Sequence, residues 1–236
     1  MPTPDFTLAS QYIQHIGDQI AAKGVAVPLW LQQSGLPGNW LEEPTPGISL
    51  PVLERLVGEA ISMTREPAIG LLVGERLLVN THGMLGYAAM SSVTIRQMLE
   101  LFEHFIRLRI ALITARHEVH ADEVRLRFTE VLPLGDIRRP VLECVLLAVK
   151  NVLDFITMGT CRISYIAFPF ERPDYAVLAE GLFKCEVRYG QSWAGFSLPP
   201  EQLDTPLKMA DPAAFQEAAL ICRRELDKLS ANESLS

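Results

Sequence analysis

Ile69-Gly70-Leu71-Leu72-Val73-Gly74, then His82-Gly83-Met84-Leu85-Gly86-Tyr87, then Thr94-Ile95-Arg96-Gln97-Met98-Leu99-Glu100 follow one another within residues 69–109. Thr94 with Gln97 three positions on has the form of a capping box, in which each side chain satisfies an amide left without a partner at a helix start. Behind it Ile95, Met98, Leu99, Phe102, Phe105 and Ile106 recur at intervals of three and four. Arg96, Gln97, Glu100, Glu103, His104 and Arg107 fall on the other side, so the segment predicts an amphipathic helix with one face in a core.

Toward the N-terminus the same period continues. Leu8, Tyr12, Ile13, Ile16 and Ile20 form a helical stripe that stops at Lys23-Gly24, a cation followed by a residue tolerant of the left-handed cap. Pro28 opens a short second helix that ends at Gly35. Leu36 to Gly47, with Pro37, Gly38, Pro44, Pro46 and Gly47, sustains neither helical nor strand period and reads as a loop. Ser49 begins a helix with Leu53, Leu56, Val57, Ala60 and Ile61 as its stripe, and Pro67 opens another through Leu71, Leu72 and Leu78.

Toward the C-terminus the period changes. Ala111 to His120 and Glu123 to Val131 flank Ala121-Asp122, and Val124, Leu126 and Phe128 alternate with Arg125, Arg127 and Thr129, as in a half-buried antiparallel hairpin. Val141 to Met158 is apolar on most sides, with Glu143, Lys150, Asn151 and Asp154 as a narrow polar strip, and predicts a helix packed nearly all round. Arg162 to Phe168, Cys185 to Tyr189 and Trp193 to Leu198 read as strands bounded by Pro169, Gly181, Gly190 and Pro199. Asp211 as N-cap and Pro212 as first residue start a last helix to Leu229, with Phe215, Ala218, Cys222, Leu226 and Leu229 inward. Helices, then strands, then a helix define an α+β fold: N-terminal helices followed by a small antiparallel sheet packed with helices.

The chain has 236 residues and a net charge of −7, enough length for one domain or two intimately packed subdomains. Its pI is about 5.3. Phosphate neutralisation needs clustered Lys and Arg, and the one short basic cluster, Arg125, Arg127 and Arg138-Arg139, is interrupted by Glu130 and Asp136, so this piece alone is not expected to bind DNA. An apolar fraction of 49% is high for a soluble monomer and points to a cavity or a subunit contact. Mean hydropathy, at +0.18, says the same. No run reaches the length of a membrane span and Met1-Pro2-Thr3-Pro4-Asp5 lacks the pattern of a signal peptide, so the expected location is cytoplasmic. Cys144, Cys161, Cys185 and Cys222 are scattered through apolar or amphipathic stretches and read as reduced core thiols.

The order of these signals resembles the N-terminal sensor domain of the AraC-type transcriptional regulators, in the branch labelled "arabinose-binding". Ala22-Lys23-Gly24-Val25 to Gly35-Leu36 is similar to that family's opening, and Ile163 to Pro169 with Phe183 to Leu198 to its closing sheet, so the likeness spans nearly the whole chain. It implies a domain that binds a small-molecule effector and forms a homodimer, reaching DNA only through a C-terminal module of two helix-turn-helix units that is absent from this chain. The division expected is an effector-binding and dimerisation domain over 1–229, with Ser230-Ala231-Asn232-Glu233-Ser234 opening a linker over 230–236.

Candidate chemistry is sparse. Gly190-Gln191-Ser192-Trp193-Ala194-Gly195 lacks the Gly-x-Ser-x-Gly spacing of a hydrolase elbow and lies between two predicted strands. His117 and His120, three apart on a strand, point to opposite faces and make no metal pair. His104 follows a helix in the manner of the haem ligand of nitric-oxide sensor domains, but the Tyr-x-Ser-x-Arg motif those domains share is missing, and the histidine reads as solvated. No catalytic residue, metal or cofactor is expected, and no membrane contact. In His82 to Tyr87 the small residues Gly83, Gly86 and Ala88 allow close backbone approach and set an imidazole and a phenol beside an apolar wall; they either line a pocket or serve a tight turn with Tyr87 in the core. Arg107 and Arg109 either receive a carboxylate or complement the helix dipole, and Tyr165 and Trp193 are candidates to stack on a ligand. The ligand-binding candidates are therefore His82, Tyr87, Arg107, Arg109, Tyr165 and Trp193. The competing reading is a protein–protein dimerisation module with no small-molecule ligand.

Overall fold

The computed structural model describes Leu8, residues 10–42 and residues 48–233. Met1 to Asp5, Pro44, Pro46, Gly47 and Ser234, to which the sequence reading assigned roles, lie outside the described residues. Helices α1 (Ser10–Ala22), α2 (Val27–Gln33), α3 (Leu50–Thr64), α4 (Ile69–Arg76), α5 (Gly83–Met90) and α6 (Ile95–Phe105) come first. Strands β1 (Ile113–Val119) and β2 (Val124–Glu130), helix α7 (Arg138–Ile156), strand β3 (Tyr165–Ala167), helix α8 (Ala176–Phe183), strands β4 (Glu186–Arg188) and β5 (Ala194–Leu198), and helix α9 (Pro212–Glu233) complete the order. The α+β expectation is met. None of the described helices is long and apolar enough to cross a membrane.

The local signals that were strongest in sequence form as expected. Thr94 caps α6 by accepting from the Gln97 amide, and Gln97 reaches back to the Val93 amide at 2.7 Å, one residue earlier than the usual partner. Asp211 accepts from the amides of Ala213 and Ala214 at the start of α9. This last helix continues through Ser230 to Glu233 and packs on α5 and α6 through fully buried Ala218 and Cys222.

The sheet has the order β1-β2-β5-β3-β4. Its pairs are antiparallel except for β3 with β4, which run parallel through the crossover helix α8. That parallel pair departs from the all-antiparallel expectation, because Ala176 to Phe183, apolar except for Glu180, gives no helical period to read. One sheet face carries Leu126, Ile166 and Phe196, all fully buried in the main core under the helices. The alternate residues Arg125, Ser197 and Tyr165 sit side by side on the other face.

A second departure concerns the glycines. The His82 to Tyr87 segment is not simply a tight turn: a 3-10 turn (Val79–His82) passes directly into α5. Gly83 makes the change of direction at φ 56°, ψ −133°, a region that side chains with a Cβ avoid. Gly86 lies where a Cβ would stand 1.9 Å from the Val79 carbonyl oxygen.

Gly70 and Gly74 let α4 meet α7 backbone to backbone. A Cβ on Gly70 would come within 2.3 Å of the Pro140 carbonyl oxygen, and one on Gly74 within 2.9 Å of that of Cys144. Asn151 of α7 completes the contact by donating its side-chain amide to the Gly74 and Leu77 carbonyls, which closes the end of α4. Within the polar strip of α7, Glu143 is fully buried and Lys150, also buried, reaches out to the part-exposed Asp154 at 2.5 Å. Gly70→Ala should therefore destabilise the chain by about 3 kcal/mol, since backbone cannot yield as a side chain does. Gly58→Ala, on an open face of α3 with nothing within 4 Å, should stabilise it by about 0.5 kcal/mol. Urea unfolding of the two variants checks the opposite signs.

Candidate functional site

A cavity of about 130 Å3 lies among the N-terminal helices and α7. Tyr12 and Ile16 of α1, Leu53, Val57 and Ala60 of α3, Ile69, Gly70 and Val73 of α4, and Cys144, Val145, Ala148 and Val149 of α7 line it. The Tyr12 stripe was read correctly as helical, but its position opposite His82, 70 residues away, is a property of packing.

The cavity wall is apolar except at one end. There the Tyr12 hydroxyl and His82 Nδ1 are 3.1 Å apart, and Arg109 reaches the same end from the 3-10 turn (Ile106–Leu108) that follows α6. The Arg109 side chain is 18% exposed, and its Nη2 donates to Glu225 Oε2 of α9 at 3.3 Å. His82 Nε2 and Arg109 Nε are buried and have no hydrogen-bond partner among the described residues. Burial, reinforced by the charge of Arg109 and by His15, lowers the His82 pKa from its ordinary 6.5 to about 4. Burial also raises the Tyr12 phenol to about 12 against the opposing pull of Arg109. At neutral pH the pair is uncharged and Arg109 carries the charge of this end. His82 Nδ1 shares the Tyr12 hydroxyl, and Nε2, buried without a partner among the described residues, can serve a ligand as donor or acceptor according to the tautomer.

Of the six candidates, His82 and Arg109 line the cavity together. Tyr87 is 46% exposed on α5, and Arg107 is half-buried and not among the lining residues. Tyr165 and Trp193 lie on the far face of the sheet, edge to face at 6.1 Å. Here Glu123 accepts from Tyr165 at 2.8 Å and Ser197 at 2.6 Å and pairs with Arg125, which stands over the Trp193 ring, while Arg188 stacks on Tyr165 at 3.7 Å. Burial works to raise the Glu123 carboxyl, but hydrogen bonds from Ser197, Arg125 and Tyr165 hold it at about 2. The aromatic pair is tied into a network whose donors and acceptors answer one another.

His117 pairs with Glu103 at 2.8 Å and His120 approaches Glu118, so the two histidines serve separate carboxylates. The exposed His104 ring bonds the Glu100 carbonyl. Among the described residues there is no group of three or more His, Cys, Asp or Glu able to hold a metal ion. The four cysteines are free, Cys222 buried and the others half-buried.

With this geometry, the chain compares with known proteins as follows. Residues 24–207 match the family described as the arabinose-binding domain of AraC transcription regulators, N-terminal, and the chain belongs to that family. It is 25% identical to the ornithine utilization regulator of Pseudomonas aeruginosa over 224 residues, which cover 95% of this chain and 66% of that protein. The crystal structure of the transcriptional regulator CdpR from Pseudomonas aeruginosa has the same fold, with a TM-score of 0.71 at 17% identity over 98% of this chain and 67% of that one. The chain is thus of the sensor-domain class of AraC-type regulators and spans about two thirds of the length of these relatives.

Two buried groups give the fold a pH signature of opposite signs. The folded chain resists the proton that unfolded His82 accepts, so stability falls by up to about 3 kcal/mol as pH drops from 6.5 through about 4. Glu143, raised by burial from 4.5 to about 8 despite its bonds from Tyr175, holds a proton that the unfolded chain releases. Its contribution is complete below pH 4.5 and is lost, by up to roughly 5 kcal/mol, as pH rises through about 8. His82→Leu should flatten the acid limb and Glu143→Gln the alkaline limb of a urea-unfolding profile taken from pH 4 to 8.5.

Proposed function

We propose that this chain is the effector-binding domain of an AraC-type transcription regulator and that the effector occupies the cavity between the N-terminal helices and α7. The observation that carries this reading is the apolar cavity with its polar end of Tyr12, His82 and Arg109, two of whose buried nitrogens lack a partner among the described residues. Apolar walls with a few convergent polar groups are the usual design of a small-molecule site. The effector acts by binding one arrangement of a homodimer more tightly than another, and DNA is contacted through a C-terminal helix-turn-helix module. The domain spans 1–229 with 230–236 leading toward that module, works in the cytoplasm, and catalyses nothing.

The cavity favours this reading over a dimerisation module without a ligand, because a protein–protein contact needs no apolar cavity with a polar end among its helices. A panel of carboxylates, amino acids and sugars tested by thermal shift should contain at least one stabilising compound. Ligand at a hundred times its Kd stabilises by about 2.7 kcal/mol. Ala148→Phe, which places a ring in the cavity from α7, should keep or raise the melting temperature of the free chain and abolish that stabilisation. A panel without a binder, or a binder indifferent to Ala148→Phe, contradicts the proposal.

A further inference from the structure

The cavity's chemistry is narrower than the reading above requires. Among its described lining residues Arg109 is the one formally charged group, and Asp and Glu are absent from them. A ligand bearing ammonium groups would leave them in apolar surroundings without a counter-charge, and a sugar would bring several hydroxyls to a wall offering few polar partners. Each hydroxyl left unsatisfied costs about 1–3 kcal/mol.

The available donors suit one carboxylate. A guanidinium binds a carboxylate through parallel N–H donors, and Arg109 has already given one nitrogen, Nη2, to Glu225 while its Nε is buried without a partner among the described residues. His82 and Tyr12 supply neutral hydrogen-bonding groups at the same end. Volume sets the tail: an apolar cavity of about 150 Å3 in another protein takes benzene, so about six carbons fill the present space.

Building on the effector-binding reading, we propose that the effector is a small apolar monocarboxylate of about six carbons, with its tail in the cavity and its carboxylate on Arg109. The acid competes there with Glu225, which belongs to α9, the last helix of the described chain. Ligand binding and the hold of α9 on the cavity therefore draw on the same cation, and each weakens the other.

The test is isothermal titration of the 236-residue chain with sodium hexanoate, hexanamide, L-ornithine and L-arabinose. The wild type should bind hexanoate at least tenfold more tightly than the isosteric amide. Arg109→Met should erase that ratio, Arg109→Lys should retain part of it, and Glu225→Gln, at a half-exposed position on α9, should tighten hexanoate several-fold. If Arg109→Met does not fold, the wild-type ratio and Glu225→Gln decide. Equal binding of hexanoate and hexanamide overturns the carboxylate proposal, as does an unchanged affinity in Glu225→Gln. Binding of ornithine or arabinose with hexanoate silent overturns it too, while leaving an effector-binding domain in place. Silence toward hexanoate, joined to an empty thermal-shift panel, overturns both.

Discussion

The backbone contact of α4 with α7 at Gly70 and Gly74 is the constraint on which the cavity depends. The two glycines are four residues apart and face Pro140 and Cys144, also four apart, so the contact runs along one turn of each helix. It brings Gly70, Pro140 and Cys144 into the cavity wall, while α1 and α3 contribute Ile16, Val57 and Ala60. Small residues at Ala60 and Ala148 leave space that a fully packed core would fill.

Where one period dominated, the sequence was enough. The cap and stripe of α6, the β1–β2 hairpin and the Asp211 cap of α9 each rest on residues within a few positions of one another, and each forms. Helix α5 has no charged residue and α8 only Glu180, so neither shows a polar face to read, and the parallel β3–β4 pair follows from α8. The glycines of Ile69 to Gly74 were visible as a pattern, yet their reason, the Pro140 and Cys144 carbonyls, lies some 70 residues on.

The site divides in the same way. His82 and Arg109 stood out as polar groups in apolar company, and they meet at the cavity. Tyr12 was absorbed into the stripe of α1, and Glu225 into the polar face of α9, because nothing local marks either as a neighbour of those two. Tyr165 and Trp193 belong to the opposite sheet face, a placement set by strand register: Tyr165 aligns with Ser197, and Ser197 with Arg125. Family membership gives the fold and the class of protein; the ligand is a matter of the side chains lining the cavity.

On the proposed function the ligand sits inside the helical half of the domain, not on the sheet. Alanine-methyl NMR of the 13C-labelled chain titrated with sodium hexanoate tests it directly, because Ala60 and Ala148 line the cavity while Ala167 lies with Tyr165 and Trp193. Saturable shifts at Ala60 and Ala148 with Ala167 unmoved are expected. Shifts at Ala167 with the two cavity methyls silent would contradict it.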